Sequence, residues 1–226
     1  MGTVFAQAAR LLFSGDREVY FIAWTSLRFV TMSVLISSAF GVPAAIALAL
    51  SSFSGRKFVI SIINSLMAMP TVVIGLAIYS LLTRSGPLGR FDLLYTPAAV
   101  ILGQSVMCLP IIVSFVSGGL SALDPIFRET LVTLGARRRH IIFATVIETR
   151  PVLVSSVLAG FGRVIGEIGV SMMLGGNIRW YTRTLTTAIA LQSSRGEIEL
   201  GLALGMVLLF LALIINVLLN LVAGRR

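Results

Sequence analysis

Little in this chain can do covalent chemistry. Its 226 residues include one cysteine, one histidine, one lysine and only nine acidic side chains. A single cysteine, Cys108, excludes a disulfide within one chain. The lone histidine, His140, excludes His-paired metal motifs. Cys108 and His140 make a poor nucleophile–base couple, because one falls in an apolar run and the other in a polar loop. No G-x4-G-K-[S/T] occurs, and Lys57 merely follows Arg56 in a short loop, so the chain has no phosphate cradle with which to use ATP. No catalytic residue, metal or cofactor is therefore expected. Charge is scarce as well: 12% of residues are charged, against roughly 25% in a soluble domain.

What fills the chain instead is apolar. Hydrophobic residues make up 57% and mean hydropathy is +0.98, which places most of the sequence in lipid. About 20 apolar residues cross a hydrocarbon core of about 30 Å. By that measure the runs Trp24–Leu50, Phe58–Leu82, Pro97–Leu120, Val152–Leu174 and Leu200–Ala223 predict an all-α polytopic membrane protein with about five transmembrane helices. Val4–Phe13 is too short to cross, and residues 1–23 read as an interfacial segment ahead of a single transmembrane domain over 24–223. No cleavable signal peptide is evident, and Ala6 breaks the myristoylation pattern after Gly2. The net charge of +9 fits basic loops at the cytoplasmic face of a membrane protein, so no nucleic-acid partner is expected. The cluster Arg137-Arg138-Arg139 sits in a short loop beside a span and orients the chain, with the N-terminus outside and the C-terminus inside.

Several spans are interrupted. Gly41-Val42-Pro43 lies in the first, Met69-Pro70 in the second and Leu109-Pro110 in the third. Proline removes a backbone donor and crowds the preceding turn, so each predicts a kink or a freed carbonyl. Backbone breaks at membrane depth are tolerated where protein or a water-filled cavity surrounds them, and they recur on solute paths. The fourth span, LAGFGRVIGEIGVSMMLGGNI, adds close-packing glycines at Gly160, Gly162, Gly166 and Gly169. It also holds Arg163 and Glu167, four apart and able to pair. A lone charge at mid-membrane costs about 2.5–3.5 kcal/mol on insertion scales, so the pair is expected to face protein or water. Pro70, Arg163, Glu167 and Asn177 are the candidates for a path or gate; a structural ion pair is the plain alternative for the two charges.

Between the third and fourth spans lies a polar island, LSALDPIFRETLVTLGARRRHIIFATVIETRP, over residues 120–151. Asp124-Pro125 is a good helix start and Gly135 a good helix stop, and a second helix then runs past His140 toward Pro151. Membrane spans on both sides make a DNA-reading helix-turn-helix a poor reading. The basic residues also fit an anionic-lipid patch.

Glu129-x5-Gly135-Ala136 resembles the EAA loop of ABC importer permeases, the cytoplasmic helix pair that docks on the ATPase subunit in that family. Thr130 and Leu131 replace the two alanines of the family pattern, and Glu148 stands where it has proline. Segments such as TRSGPLG, GRVIGEIG and MLGGNI, spread over nearly the whole chain, are similar to tungstate-type permeases of the molybdate and tungstate importer group. The resemblance implies ABC type I importer permease architecture with a coupling loop at 121–151, in which Asp124, Glu129, Gly135, Ala136 and Arg137 make the ATPase contact. It also implies a tetrahedral oxyanion cargo, tungstate or otherwise molybdate. The expected partners are a second copy of the chain, two ABC ATPase subunits, an extracytoplasmic oxyanion-binding protein and the lipid bilayer of the plasma or inner membrane. The competing reading is a non-transporting membrane scaffold whose island recruits a partner protein.

Overall fold

A computed structural model of the chain describes residues 16–51 and 53–223; the stretch Val4–Phe13 lies outside them. Among the described residues the structure is helical, without strands. In chain order the helices are α1 (Arg17–Leu50), α2 (Arg56–Met67), α3 (Thr71–Leu82), α4 (Pro97–Ser121), α5 (Pro125–Thr133), α6 (Arg138–Glu148), α7 (Arg150–Ile165), α8 (Gly169–Gly175), α9 (Leu185–Ser194) and α10 (Ile198–Ala223), with one 3-10 turn at Gly89–Phe91. Asp16 starts α1 by accepting the Glu18 and Val19 N–H groups at 2.8 and 3.3 Å. With 34 residues, α1 is about 51 Å long, well beyond the roughly 30 Å it must cross.

Helices α1 and α4 and the stretch Ile198–Leu218 of α10 are long and apolar enough to cross unaided; counting each bent pair, α2–α3 and α6–α7, as one span brings the number to five. Two expected spans are not single helices. Phe58–Leu82 is α2 and α3, set at 97°. Pro70 supplies no N–H to continue α2, whose end closes through Ala68 N–H to Ser65 O at 3.1 Å and Met69 N–H to Leu66 O at 3.3 Å. Val73 N–H then opens a new helix on Pro70 O at 2.9 Å. Val152–Leu174 likewise stops at Ile165 and restarts at Gly169. By contrast Pro43 and Pro110 stay inside helices that run straight through them.

Helix α4 is the hub. Its Met107, Cys108, Ile112, Val113 and Val116 pack with Val30 and Val34 of α1 and with Phe161 and Val164 of α7. Toward its other end Ala99 joins Ile78 and Leu82 of α3 and Val170 and Leu174 of α8. At Gly103 any side chain would overlap both Leu174 and Val170, so the absence of a side chain is what lets α8 reach α4. A third cluster (Val19, Ile22, Leu185, Leu204 and Val207) fastens α9 and α10 to the start of α1.

Candidate functional site

The polar island forms a helical hairpin. Asp124 accepts the Ile126 N–H at 2.9 Å and Pro125 sits in the first turn of α5, as its helix-start signature requires. The far end of α5 closes with Gly135 N–H to Val132 O and Ala136 N–H to Leu131 O, both 3.0 Å, the paired bonds of a Schellman turn. Gly135 holds φ +75° with nothing within 4 Å of where a Cβ would stand. The turn is thus set by backbone conformation rather than by crowding. Arg137 is exposed and caps α6 in extended geometry, and Ile126, Leu134 and Phe143 expose large apolar side chains on the same hairpin. A cleft of about 830 Å³ separates the hairpin from the core, lined among others by Asp124, Glu129, Arg56 and Ser121. Arg56 crosses the base of this cleft, donating from Nε to Leu48 O and from an Nη to Ser121 Oγ, both at 2.9 Å. It ties together the ends of α1 and α4 and the start of α2, a role that no local sequence signal announces. The five coupling candidates therefore share one hairpin: Gly135, Ala136 and Arg137 at its tip, Asp124 and Glu129 on the cleft.

The second set lies across the middle of the bundle. Gly41 of α1 and Gly160 of α7 both rest on Ile112. Met69, Leu109 and Pro110 line a common apolar groove of about 540 Å³, and Gly169 lies on Thr71 and Val72. The interruptions at Gly41–Pro43, Pro70, Pro110 and Gly166–Ile168 thus fall in one layer near the midpoint of α4, although only two of them break a helix.

Glu167 sits in the α7–α8 break, 4% exposed. One carboxylate oxygen accepts from an Arg163 Nη at 3.1 Å and the other from Val170 N–H at 3.1 Å. Its main chain is pinned too, the N–H donating to Val164 O at 3.0 Å and the C=O accepting the Thr186 hydroxyl at 2.9 Å. Arg163 is the opposite case. Its side chain remains 40% exposed, and it stands in the last turn of α7, where the orphan carbonyls favour a cation. The neighbouring Gly162 and Gly166 meet nothing within 4 Å, whereas Gly160 and Gly169 make the close contacts. The expected pair is present, with a fixed anion and an open cation.

Pro70 joins this region through Thr71 and Val72. Asn177 does not. It lies beyond the far end of α8, about 10 Å along the helix axis, at φ +51°, and accepts from Arg183 Nε at 3.2 Å. There it belongs to an ionic knot in which Glu18 takes Arg179 at 2.6 Å and Arg183 at 3.1 Å, binding the start of α1 to the loop after α8. The hydrogen bond and charge of Glu18 push the Arg179 pKa above its ordinary value.

Residue-by-residue reading also missed a buried polar chain. Ser33 donates to Gln104 Oε1 at 3.0 Å, and Gln104 Nε2 donates to Ser171 Oγ at 3.1 Å. All three are at most 2% exposed, and they stitch α1, α4 and α8 just beside Glu167. The available signal was a glutamine inside an apolar span.

Residues 41–226 match the family described as binding-protein-dependent transport system inner membrane component. Over 202 residues the chain is 40% identical to a probable anion ABC transporter permease protein of Haloferax volcanii, covering 87% of each. Over 212 residues it is 34% identical to a tungstate uptake system permease protein of Campylobacter jejuni, covering 94% of this chain and 89% of that one. Among solved structures, the inward-facing MetNI methionine ABC transporter matches with a TM-score of 0.67 at 20% identity, over 89% of this chain and 91% of that chain, a likeness of fold. The chain belongs to this family of inner-membrane components. It is the permease subunit of an ABC importer, a membrane protein and not an enzyme, and ATP hydrolysis takes place in separate subunits.

Proposed function

We propose that this ABC importer permease, paired with a second copy of itself, carries a tetrahedral oxyanion into the cytoplasm, with tungstate the favoured cargo and molybdate the alternative. The observation that carries the reading is the half-exposed Arg163 guanidinium at mid-membrane on a glycine-lined face. A cation at that depth is tolerated where it meets protein or water rather than lipid, and a dianion is its natural visitor. Tungstate and anion permeases among the relatives support the same cargo class. Five spans enclose too little surface for a walled path, which is why a second copy is required. A scaffold that transports nothing needs neither the cation nor the interrupted layer.

In this reading the N-terminus lies outside and the C-terminus inside. The α5–α6 hairpin seats in the ATPase, with Gly135, Ala136 and Arg137 at the contact and Asp124 and Glu129 setting its angle over the cleft. Helix α7 leaves the hairpin at a 64° corner and ends at the break holding Glu167. Its 16 residues make a strut of about 24 Å, so hairpin movement reaches Arg163, Glu167 and the neighbouring Pro70 break without intervening loops. An oxyanion-binding protein delivers the cargo at the outer face.

The test is uptake by proteoliposomes that contain the permease, its ATPase and its binding protein. ATP-dependent accumulation of labelled tungstate, competed by molybdate, is expected. Absence of ATP-dependent uptake of tungstate, molybdate and sulfate alike overturns the proposal.

A further inference from the structure

We infer that Glu167 is a built-in competitor of the transported anion: it holds the Arg163 guanidinium when the path is empty and yields it to an oxyanion when the path is loaded, so that it sets the affinity of the mid-membrane site. The inference rests on the oxyanion reading above and deepens it.

The support lies in the asymmetry of the pair. Glu167 is 4% exposed and has three anchors apart from Arg163: Val170 N–H on its second carboxylate oxygen, Val164 O on its N–H, and the Thr186 hydroxyl on its carbonyl. Its backbone and one carboxylate oxygen are thus held by groups other than Arg163. Arg163 touches Glu167 through one Nη at 3.1 Å, an end-on bond and not the two-pronged grip that makes an arginine–carboxylate pair strong and rigid. A guanidinium carries five donors in a flat fork, and the side chain bearing this one is 40% exposed. Gly162 and Gly166, before and after Arg163 in the chain, are exposed and leave empty space where other residues would place a Cβ.

A tetrahedral dianion presents two oxygens at the spacing such a fork prefers. An anion arriving there exchanges one end-on contact for a forked one and adds the second negative charge. The carboxylate left behind keeps its Val170 N–H, so opening the pair does not orphan Glu167 entirely. A monoanion gains less from the exchange. The carboxylate therefore acts as a threshold, favouring doubly charged cargo over chloride or nitrate.

Glu167→Gln tests this. The amide oxygen still accepts from Val170 N–H but no longer holds a cation. Tungstate binding to the detergent-purified permease–ATPase complex, followed by calorimetry without the binding protein, should tighten about tenfold, and discrimination against nitrate should fall. Arg163→Lys keeps the charge and loses the fork; it should bind tungstate at least tenfold more weakly. An assembled Glu167→Gln complex that binds tungstate no more tightly than the parent overturns the inference, as does an assembled Arg163→Lys complex with parental affinity. If neither variant assembles, the inference is overturned too, because a pair that must stay closed for assembly is not free to open. A parent complex that binds and imports no tetrahedral oxyanion defeats the proposed function instead. A parent that imports tungstate while Glu167→Gln leaves binding unchanged defeats this inference alone.

Discussion

The α5–α6 hairpin and the mid-membrane layer are built on opposite principles. The hairpin is held by local bonds, each between residues close in sequence: Asp124 to Ile126, Val132 to Gly135, Leu131 to Ala136. Its apolar side chains Ile126, Leu134 and Phe143 are exposed. The layer is held by bonds between distant segments, Ser33 with Gln104, Gln104 with Ser171 and Glu167 with Thr186, and its groups are buried. The hairpin, proposed above to dock on the ATPase, keeps its shape alone and leaves its surface free. A region that must resist lipid while staying polar satisfies its donors internally, and it does so through tertiary contacts.

The sharpest way to break this contrast is to spoil the hairpin without touching the layer. Gly135 sits at φ +75° in open space, so Gly135→Val strains the turn without a clash, at a cost on the order of 1 kcal/mol or more. Membrane insertion and assembly should persist while substrate-stimulated ATP hydrolysis falls below one tenth of the parent rate. Normal stimulated hydrolysis in the reconstituted variant would move the docking site elsewhere.

Attacking the layer should cost stability and transport together. Arg163→Ala leaves Glu167 buried with one hydrogen bond on its carboxylate. Breaking a fully buried pair costs about 3–5 kcal/mol, and the 40% exposure of the Arg163 side chain puts this case below that range. Uptake per folded complex should drop at least tenfold. Adding Glu167→Ala should restore the thermal midpoint but not the uptake, if Arg163 meets the anion itself. Recovery of uptake in the double variant would make the pair a brace.

The same contrast explains what the sequence makes legible. The hairpin's start, turn and second helix are readable because capping and left-handed glycine are local rules, and Asp124, Pro125 and Gly135 each obey one. Five apolar runs are readable because membrane thickness sets their length. The breaks are less so: Pro43, Pro70 and Pro110 look alike in sequence, yet only Pro70 ends a helix, and the stretches of α1 and α4 that carry the other two pack on each other through Ala45, Leu48, Ile112 and Val113. Asn177 looks continuous with the Arg163–Glu167 motif, but seven residues of α8 carry it away to the Glu18–Arg179–Arg183 knot. Gln104 is readable only as an oddity, because its partners lie 71 and 67 residues away.

Gln104 therefore offers a milder probe of the layer. Gln104→Leu removes a link that touches neither candidate charge and takes from the Ser171 hydroxyl its Gln104 partner. A buried polar group left without a partner costs about 1–3 kcal/mol; Ser33 keeps its acceptors Phe29 O at 2.7 Å and Ile101 O at 3.2 Å. The thermal midpoint of the purified complex should fall, while uptake per folded complex stays within about twofold. A tenfold loss of uptake with an unchanged midpoint would make Gln104 part of the path.

The smallest change expected is Gly162→Ala. Gly162 is exposed, inside α7, with nothing within 4 Å of a Cβ, so the methyl group meets no obstacle within the chain. Alanine is favoured over glycine in a helix interior by about 0.8–1 kcal/mol, and the thermal midpoint should hold or rise slightly. A methyl group narrows the open side of Arg163 without touching its charge, so uptake should fall by no more than about threefold. Gly162→Leu fills the same space more fully and should deepen that loss at an equal midpoint, which marks a face bordering the path. If Gly162→Ala instead splits the complex into single copies on native mass spectrometry, the face is where a second copy packs against α7, and the open side of Arg163 is closed in the assembly.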